Sequence, residues 1–178
     1  MRRIFIGIKI SEELKRIIVL WQSRWADLPV RWLAPDNLHL TLLPPWLADD
    51  KTIEEIADQL EELKYCCRPF NIRFTEVVYG PQPRKPSLIC ALGKAPAAMI
   101  RLKQTFELAL GRPAPARPYL LHLTLARFHP ENFSSFKVKK LNDKIFWQEK
   151  ADSFQLIESL LKPDGAEYKI LKAIKFSP

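Results

Sequence analysis

The tetrapeptide His-Leu-Thr-Leu occurs twice in this chain of 178 residues, at positions 39–42 and again at positions 122–125. Side chains alternate between the two faces of a β-strand. On a strand, each copy therefore sends its histidine and threonine to one face and both leucines to the other. Each half of the chain is predicted to contain a strand whose leucines anchor it in a core while an imidazole and a hydroxyl stand side by side in a groove.

The repeat favours a functional role for its histidines, His39 and His122. A single histidine on an alternating strand is more often a hydrogen-bonded structural residue than a catalyst. The chain has three histidines, however, and two of them stand in identical tetrapeptides, although the halves show no extended similarity. Two imidazoles and two hydroxyls that face one another suit a metal-free acid–base reaction on a phosphate ester.

The composition indicates one globular domain over residues 1–178, with 47% hydrophobic and 27% charged residues. A net charge of +8 favours a polyanionic partner. The three cysteines have no metal-ligand spacing and are typical of reduced thiols. The amino-terminal stretch alternates like a strand and has no cleavage-site pattern, and no apolar run is long enough to span a membrane. A cytoplasmic, monomeric protein is expected.

The periodicity of apolar residues predicts an α+β fold with a largely antiparallel sheet. Helices are predicted after a Ser11 cap to about Trp25, from Asp49 to about Tyr65, and from Ala97 to about Leu110. The prolines Pro44-Pro45 are predicted to stop the first motif strand abruptly. Strands are predicted at 4–10, 38–43, 70–78, 88–92, 119–128, 145–150, 153–161 and 168–176.

The chain resembles the two-histidine (2H) phosphoesterases, and within them the bacterial and archaeal RNA 2′,3′-cyclic phosphodiesterases formerly called 2′-5′ RNA ligases. The resemblance spans nearly the whole chain and rests on His-x-Thr-x in each half. Further matches lie at 3–8 and 31–38, in the second motif through Arg127, and in a carboxy-terminal hairpin at 156–168. It implies a bilobal, pseudo-twofold fold, with two largely antiparallel sheets flanking a central cleft and helices outside.

The resemblance also implies a reaction and a site. The substrate would be RNA with a 2′,3′-cyclic phosphate end, such as a tRNA fragment, or a cyclic nucleotide, and the product a 2′-phosphate. No cofactor or metal is implied. His122 would activate water and His39 would protonate the 3′ oxygen, although the sequence by itself leaves these two roles open. Thr41 and Thr124 would donate hydrogen bonds to the phosphoryl oxygens.

Arg127 poses a conflict between strand geometry and the resemblance. It lies three residues beyond Thr124, an odd offset that on a regular strand points it to the opposite face of the sheet. The resemblance makes it a phosphate ligand. Both can hold if the strand twists, bulges or ends near Ala126.

Several aromatic and basic residues are candidate RNA contacts. Arg31 and Arg117 precede the motifs, Trp32 is equally compatible with base stacking and with core packing, and Trp46 is either a substrate platform or the cap of a hydrophobic edge. Two other activities stay open: a 2′-5′ RNA ligase acting on tRNA halves, and a non-catalytic RNA-binding module. The other candidate contacts are Arg84, Lys85 and Tyr119.

Overall fold

A computed structural model of the chain describes residues 1–82, 84–112, 118–141, 143–163 and 165–177. Nine strands and three α-helices are found in these ranges. The helices are α1 (Glu12–Ser23), α2 (Asp50–Glu62) and α3 (Ala97–Ala109). The strands are β1 (Arg2–Lys9), β2 (Arg31–Trp32), β3 (His39–Ala48), β4 (Phe70–Gly80), β5 (Leu88–Gly93), β6 (His122–Arg127), β7 (Asp143–Ala151), β8 (Ser153–Lys162) and β9 (Gly165–Lys175).

The strands form two sheets, and every strand pair is antiparallel. One sheet has the order β3-β1-β8-β9 and the other β2-β6-β5-β4-β7. Each motif strand pairs with the strand that precedes it across a helix: β3 follows β1 and α1, and β6 follows β5 and α3. The predicted α+β fold with two antiparallel sheets and a pseudo-twofold arrangement is therefore confirmed.

The prediction that Pro44-Pro45 end the first motif strand is wrong, because β3 continues to Ala48. Proline cannot donate to a ladder and is tolerated on edge strands and at bulges. Both conditions hold here. β3 is the edge strand of its sheet, and its register with β1 shifts between the pairs Ile4–Trp46 and Ile6–Leu43, opposite the two prolines.

The second motif strand is shorter than predicted, since β6 begins at His122 rather than at Tyr119. The last paired residue on its neighbour is Leu92, opposite His122, and β5 ends one residue later. Residues before His122 therefore have little partner strand left to extend the ladder. β2 was not predicted, because two residues are too few to show alternation.

Hydrogen bonds attach α1, which follows β1 of the first sheet, to the second sheet. The backbone N–H and the hydroxyl of Ser11, the amino-terminal cap of α1, both donate to Glu149 Oε2 on β7, at 2.8 and 2.9 Å. The Trp21 indole N–H donates to Asp143 Oδ2 at 2.6 Å. These contacts attach α1 to the far edge of the second sheet. No helix in the described ranges is long and apolar enough to cross a membrane.

Candidate active site

The leucines of both motifs are core residues, as their alternation predicts. Leu40, Leu42, Leu123 and Leu125 are all at most 1% exposed. Burial of each leucine side chain stabilises the fold by about 1.5–3 kcal/mol. This burial holds the leucine face of each strand against the core, so the face with the histidine and threonine points away from it. His39, Thr41 and His122 are half-buried on the other side, and Thr124 is 9% exposed.

The imidazoles of His39 and His122 are each held by an equivalent hydrogen bond. The Nδ1 atom of His39 lies 2.7 Å from the carbonyl oxygen of Asn37, and Nδ1 of His122 lies 3.0 Å from that of Leu120. A carbonyl can only accept, so Nδ1 carries the hydrogen in each ring. In a neutral imidazole this leaves Nε2 as the proton acceptor. The two halves thus orient their imidazoles by one device, a carbonyl two residues upstream.

Two further aromatic rings fix the plane of the His39 imidazole. The centroids of Phe5 and Tyr168 each lie 4.8 Å from that of His39, and Tyr168 meets it edge-on at 84°. Gly7 allows β1 to approach, because a Cβ there would lie 2.8 Å from the Leu40 carbonyl oxygen. Sequence reasoning included Phe5 and Tyr168 only as family matches, since their packing on His39 depends on strands far apart in the chain.

The surroundings of His39 suppress its protonated form. Burial lowers the pKa of the His39 imidazole to about 4, and the positive charges of Arg127 and Lys9 act in the same direction. The hydrogen bond to the Asn37 carbonyl opposes this shift without reversing it. His39 is therefore neutral in the free protein at pH 7. A role as general acid requires that a bound anionic phosphate raise its pKa again.

We expect an NMR titration of the free protein to give His39 a pKa well below 6.5, and the same titration with saturating inorganic phosphate to raise it. The sign follows from the charges: removing water and adding cations disfavours the imidazolium, whereas an adjacent anion favours it. The ring resonances of exposed His129, outside both motifs, serve as the internal control for phosphate binding. A free-protein pKa for His39 of about 6.5, the reference value, would contradict the environment described for it.

Each motif contains a β-bulge at its second leucine. Between β1 and β3, the pairs Gly7–Thr41 and Ile6–Leu43 follow one another, so that Leu42 has no partner. Between β5 and β6, the pairs Cys90–Thr124 and Ile89–Ala126 likewise skip Leu125. A bulge places one extra residue on one strand and alters the facing of the residues beyond it. The pseudo-twofold symmetry thus extends to the strand irregularities.

The bulge in β6 resolves the conflict over Arg127. On the regular strand β5, Leu88, Cys90 and Leu92 are spaced by two and share one face. Their partners on β6 are Arg127, Thr124 and His122, in that order. Directly paired residues point to the same side of a sheet, so Arg127 joins His122 and Thr124 on their face. Of the irregularities that could reconcile the two interpretations, a twist, a bulge or a strand end, the register shows a bulge, and the opposite-face interpretation is wrong.

Two cavities adjoin these residues. One of about 330 Å³ reaches from β2 and β6 to the hairpin between β8 and β9; it is lined by Arg31, Trp32, Leu33, Ala34, Asn37, Arg127, Lys162, Gly165, Ala166, Glu167 and Tyr168. We call it the basic cavity. The other, of about 390 Å³, lies beside His122 and includes Tyr79, Pro81, Phe133 and Lys140 in its lining. We call it the aromatic cavity.

The structure places the described candidate RNA contacts in different parts of the molecule. Trp32 lines the basic cavity, and its ring also packs edge-on against Trp21 at 5.9 Å, a position compatible with base stacking and with core packing. Arg84 and Lys85 are exposed on the turn between β4 and β5, a few residues beyond Pro81 of the aromatic cavity. Arg117 lies outside the described residues.

The side chains of Tyr119 and Trp46 make contacts within the protein that do not favour base stacking. The Tyr119 hydroxyl donates to the Thr41 carbonyl oxygen at 2.8 Å, so this residue connects the two motifs, and burial raises its pKa. Trp46 lies seven residues beyond His39, about 23 Å along an extended strand. Its ring instead contacts the Arg112 guanidinium at 4.7 Å, in a groove beside α2. Its interpretation as the cap of a hydrophobic edge agrees with this position better than a substrate platform does.

No cluster of three or more His, Cys, Asp or Glu side chains with metal-binding geometry occurs within the ranges that the structure describes. The functional groups gathered around the motifs are instead two imidazoles, two hydroxyls and a guanidinium.

The sequence matches the family model of the 2′-5′ RNA ligase superfamily over residues 18–162. The chain belongs to this superfamily. Among its relatives, it is 24% identical over 177 residues to the RNA 2′,3′-cyclic phosphodiesterase of Archaeoglobus fulgidus, a match that covers 97% of this chain and 99% of the relative. It is 30% identical over 128 residues to the enzyme of the same name from Bacillus subtilis, covering 69% of each chain.

Solved structures share the fold over nearly the full length. E. coli LigT in its apo form superposes with a TM-score of 0.78 at 20% identity, covering 99% of this chain and 98% of LigT. A protein of Thermus thermophilus gives a TM-score of 0.78 at 23% identity, covering 98% of this chain and 97% of that protein. The bilobal fold that the family resemblance implies is therefore the fold of this chain.

Proposed function

We propose that this protein is an RNA 2′,3′-cyclic phosphodiesterase that opens terminal 2′,3′-cyclic phosphates to 2′-phosphates. The observation that carries the proposal is the paired orientation of His39 and His122, each tied at Nδ1 to a carbonyl two residues upstream. Binding alone does not need two titratable groups at matched positions. Relatives from four organisms, at 23–30% identity, bear the name RNA 2′,3′-cyclic phosphodiesterase.

The reaction divides the work between the two imidazoles. A water oxygen attacks phosphorus while one imidazole takes its proton. The bond between phosphorus and the 3′ oxygen breaks, and the other imidazole gives that oxygen a proton. In the assignment that the family resemblance implies, His122 is the base and His39 the acid. Burial lowers the pKa of free His39, and an anionic cyclic phosphate bound beside it would favour the protonated form that a general acid needs.

Thr41, Thr124 and Arg127 would stabilise the negative charge that develops on the phosphoryl oxygens. Thr41 and Thr124 lie on the same faces as their histidines and can donate hydroxyl hydrogen bonds. The Arg127 guanidinium offers two parallel N–H donors to the phosphate. Fixed donors of this kind stabilise a transition state without reorganising. None of these steps calls on a metal ion.

A second activity, 2′-5′ RNA ligation, uses the same groups with an RNA 5′-hydroxyl in place of water. The observation that favours ligation is the aromatic cavity beside His122. Tyr79 and Phe133 line this space of about 390 Å³, which could hold part of a second RNA. Aromatic walls suit a stacked nucleobase.

The test incubates the protein, in EDTA, with an RNA that ends in a 2′,3′-cyclic phosphate and an RNA that starts with a 5′-hydroxyl. The proposal expects conversion of the first RNA to its 2′-phosphate as the main reaction, at a rate unchanged by EDTA. A joined RNA as the main product would make ligation the principal activity. Loss of all turnover in EDTA, restored by a divalent ion, would overturn the metal-free proposal.

A further inference from the structure

The basic cavity has two arginines on adjacent strands. Arg31 on β2 and Arg127 on β6 form a direct cross-strand pair, and both line this cavity. Like charges directly opposite one another destabilise a sheet. An anionic ligand that contacts both guanidiniums would be attracted by two positive charges at once. Two guanidiniums at one cavity wall suit a ligand with two negative charges better than one with a single charge.

The hairpin between β8 and β9 is shaped around Arg31. Gly165 has a φ of +139°, and a Cβ at this position would lie 3.2 Å from Arg31 Nη1 and 3.3 Å from Cζ. Any side chain there would crowd the guanidinium. Glycine accepts such a backbone conformation readily. The hairpin thus leaves the Arg31 head group room at the cavity wall, next to the site proposed for the reactive phosphate.

Two described residues of the hairpin, Lys162 and Glu167, carry opposite charges at the cavity. The Lys162 ammonium forms an ion pair with the Glu167 carboxylate, and both residues line the cavity. Glu167 would repel an anion that entered on the hairpin side. An anionic group is therefore favoured between Arg31 and Arg127, away from that carboxylate.

We propose that Arg31 forms a second phosphate subsite, which binds the phosphodiester on the 5′ side of the terminal nucleotide. This inference rests on the proposed function. In an RNA ending in a cyclic phosphate, the next negative charge is that phosphodiester. A nucleoside 2′,3′-cyclic monophosphate lacks it. The subsite would make this protein an enzyme of RNA ends rather than of free cyclic nucleotides.

The test compares two substrates with the same terminal nucleoside: the nucleoside 2′,3′-cyclic monophosphate and the dinucleotide that ends in the same cyclic phosphate. For Arg31→Gln we expect kcat/KM to fall about tenfold or more on the dinucleotide, since a hydrogen bond to a charged group is lost. On the monophosphate we expect little change. Arg101→Gln, which removes an exposed arginine on α3, is the charge-matched control and should leave both values unchanged.

A dinucleotide with a neutral methylphosphonate linkage separates charge from size. Wild type should treat it much like the monophosphate, and Arg31→Gln should be indifferent to the linkage, because the two changes remove the same interaction. If Arg31→Gln lowers kcat/KM equally on all three compounds, or on none of them, the second subsite is overturned while the proposed function stays intact. If wild type opens none of the three compounds, the proposed function itself fails and the subsite with it.

Discussion

Replacing either His39 or His122 with alanine should lower kcat by about 10²–10⁴-fold, the range typical for loss of a general acid or base. The double variant should be barely slower than either single variant, because residues that act as a unit are not additive. The measurement is steady-state hydrolysis of a dinucleotide 2′,3′-cyclic phosphate, with a thermal melt for each variant.

Two controls protect this result from a folding artefact. His129→Ala removes an exposed histidine that is near Glu131, outside the motifs, and should leave activity unchanged. His39→Asn keeps an amide donor for the Asn37 carbonyl while removing the titratable ring, so it should melt closer to wild type than the alanine variant. If a single variant is folded and has near-normal turnover, the replaced histidine has a structural role and not a catalytic one. If wild type itself bound the RNA but showed no turnover, the non-catalytic RNA-binding module would become the better account.

Arg127→Lys should lower kcat/KM by about 10- to 100-fold, as expected when a bidentate hydrogen bond to an anion is lost. Lysine keeps the charge but has no planar fork of donors. Because Arg127 is an exposed residue at the end of β6, the melting temperature should change little.

Arg101→Lys on α3 is the matched control, since it makes the same exchange at an exposed position outside both cavities. Wild-type kinetics for Arg127→Lys would remove the guanidinium from the phosphate site. A lowered melting temperature with proportional loss of activity would instead point to a structural contribution of Arg127 to the β2–β6 edge.

The motif strands could be predicted from sequence because their information is local. The alternation in each His-Leu-Thr-Leu copy is sufficient to place the leucines in the core and the histidine on the other face. The resemblance then supplied the two-lobed fold that brings the copies together. Helix starts at Ser11 and Asp49 also followed from local chemistry, and both side chains accept capping hydrogen bonds in the structure.

What the sequence could not supply depends on partners distant in the chain. The bulge at Leu125 decides on which face of the sheet Arg127 lies, and this bulge is visible only in the register with β5. The continuation of β3 through Pro44-Pro45 depends on its edge position. The low pKa of His39 comes from burial between β1 and the hairpin of β9 rather than from a neighbour in sequence.

The position of the phosphate in the product tests the central proposal most directly. An RNA ending in a 2′,3′-cyclic phosphate is incubated with wild-type protein in EDTA, and the product is compared by chromatography and ³¹P NMR with authentic 2′- and 3′-phosphate standards. The account predicts the 2′-phosphate alone, with turnover lost in the His39 and His122 variants. A 3′-phosphate product, or an unopened ring, would contradict it.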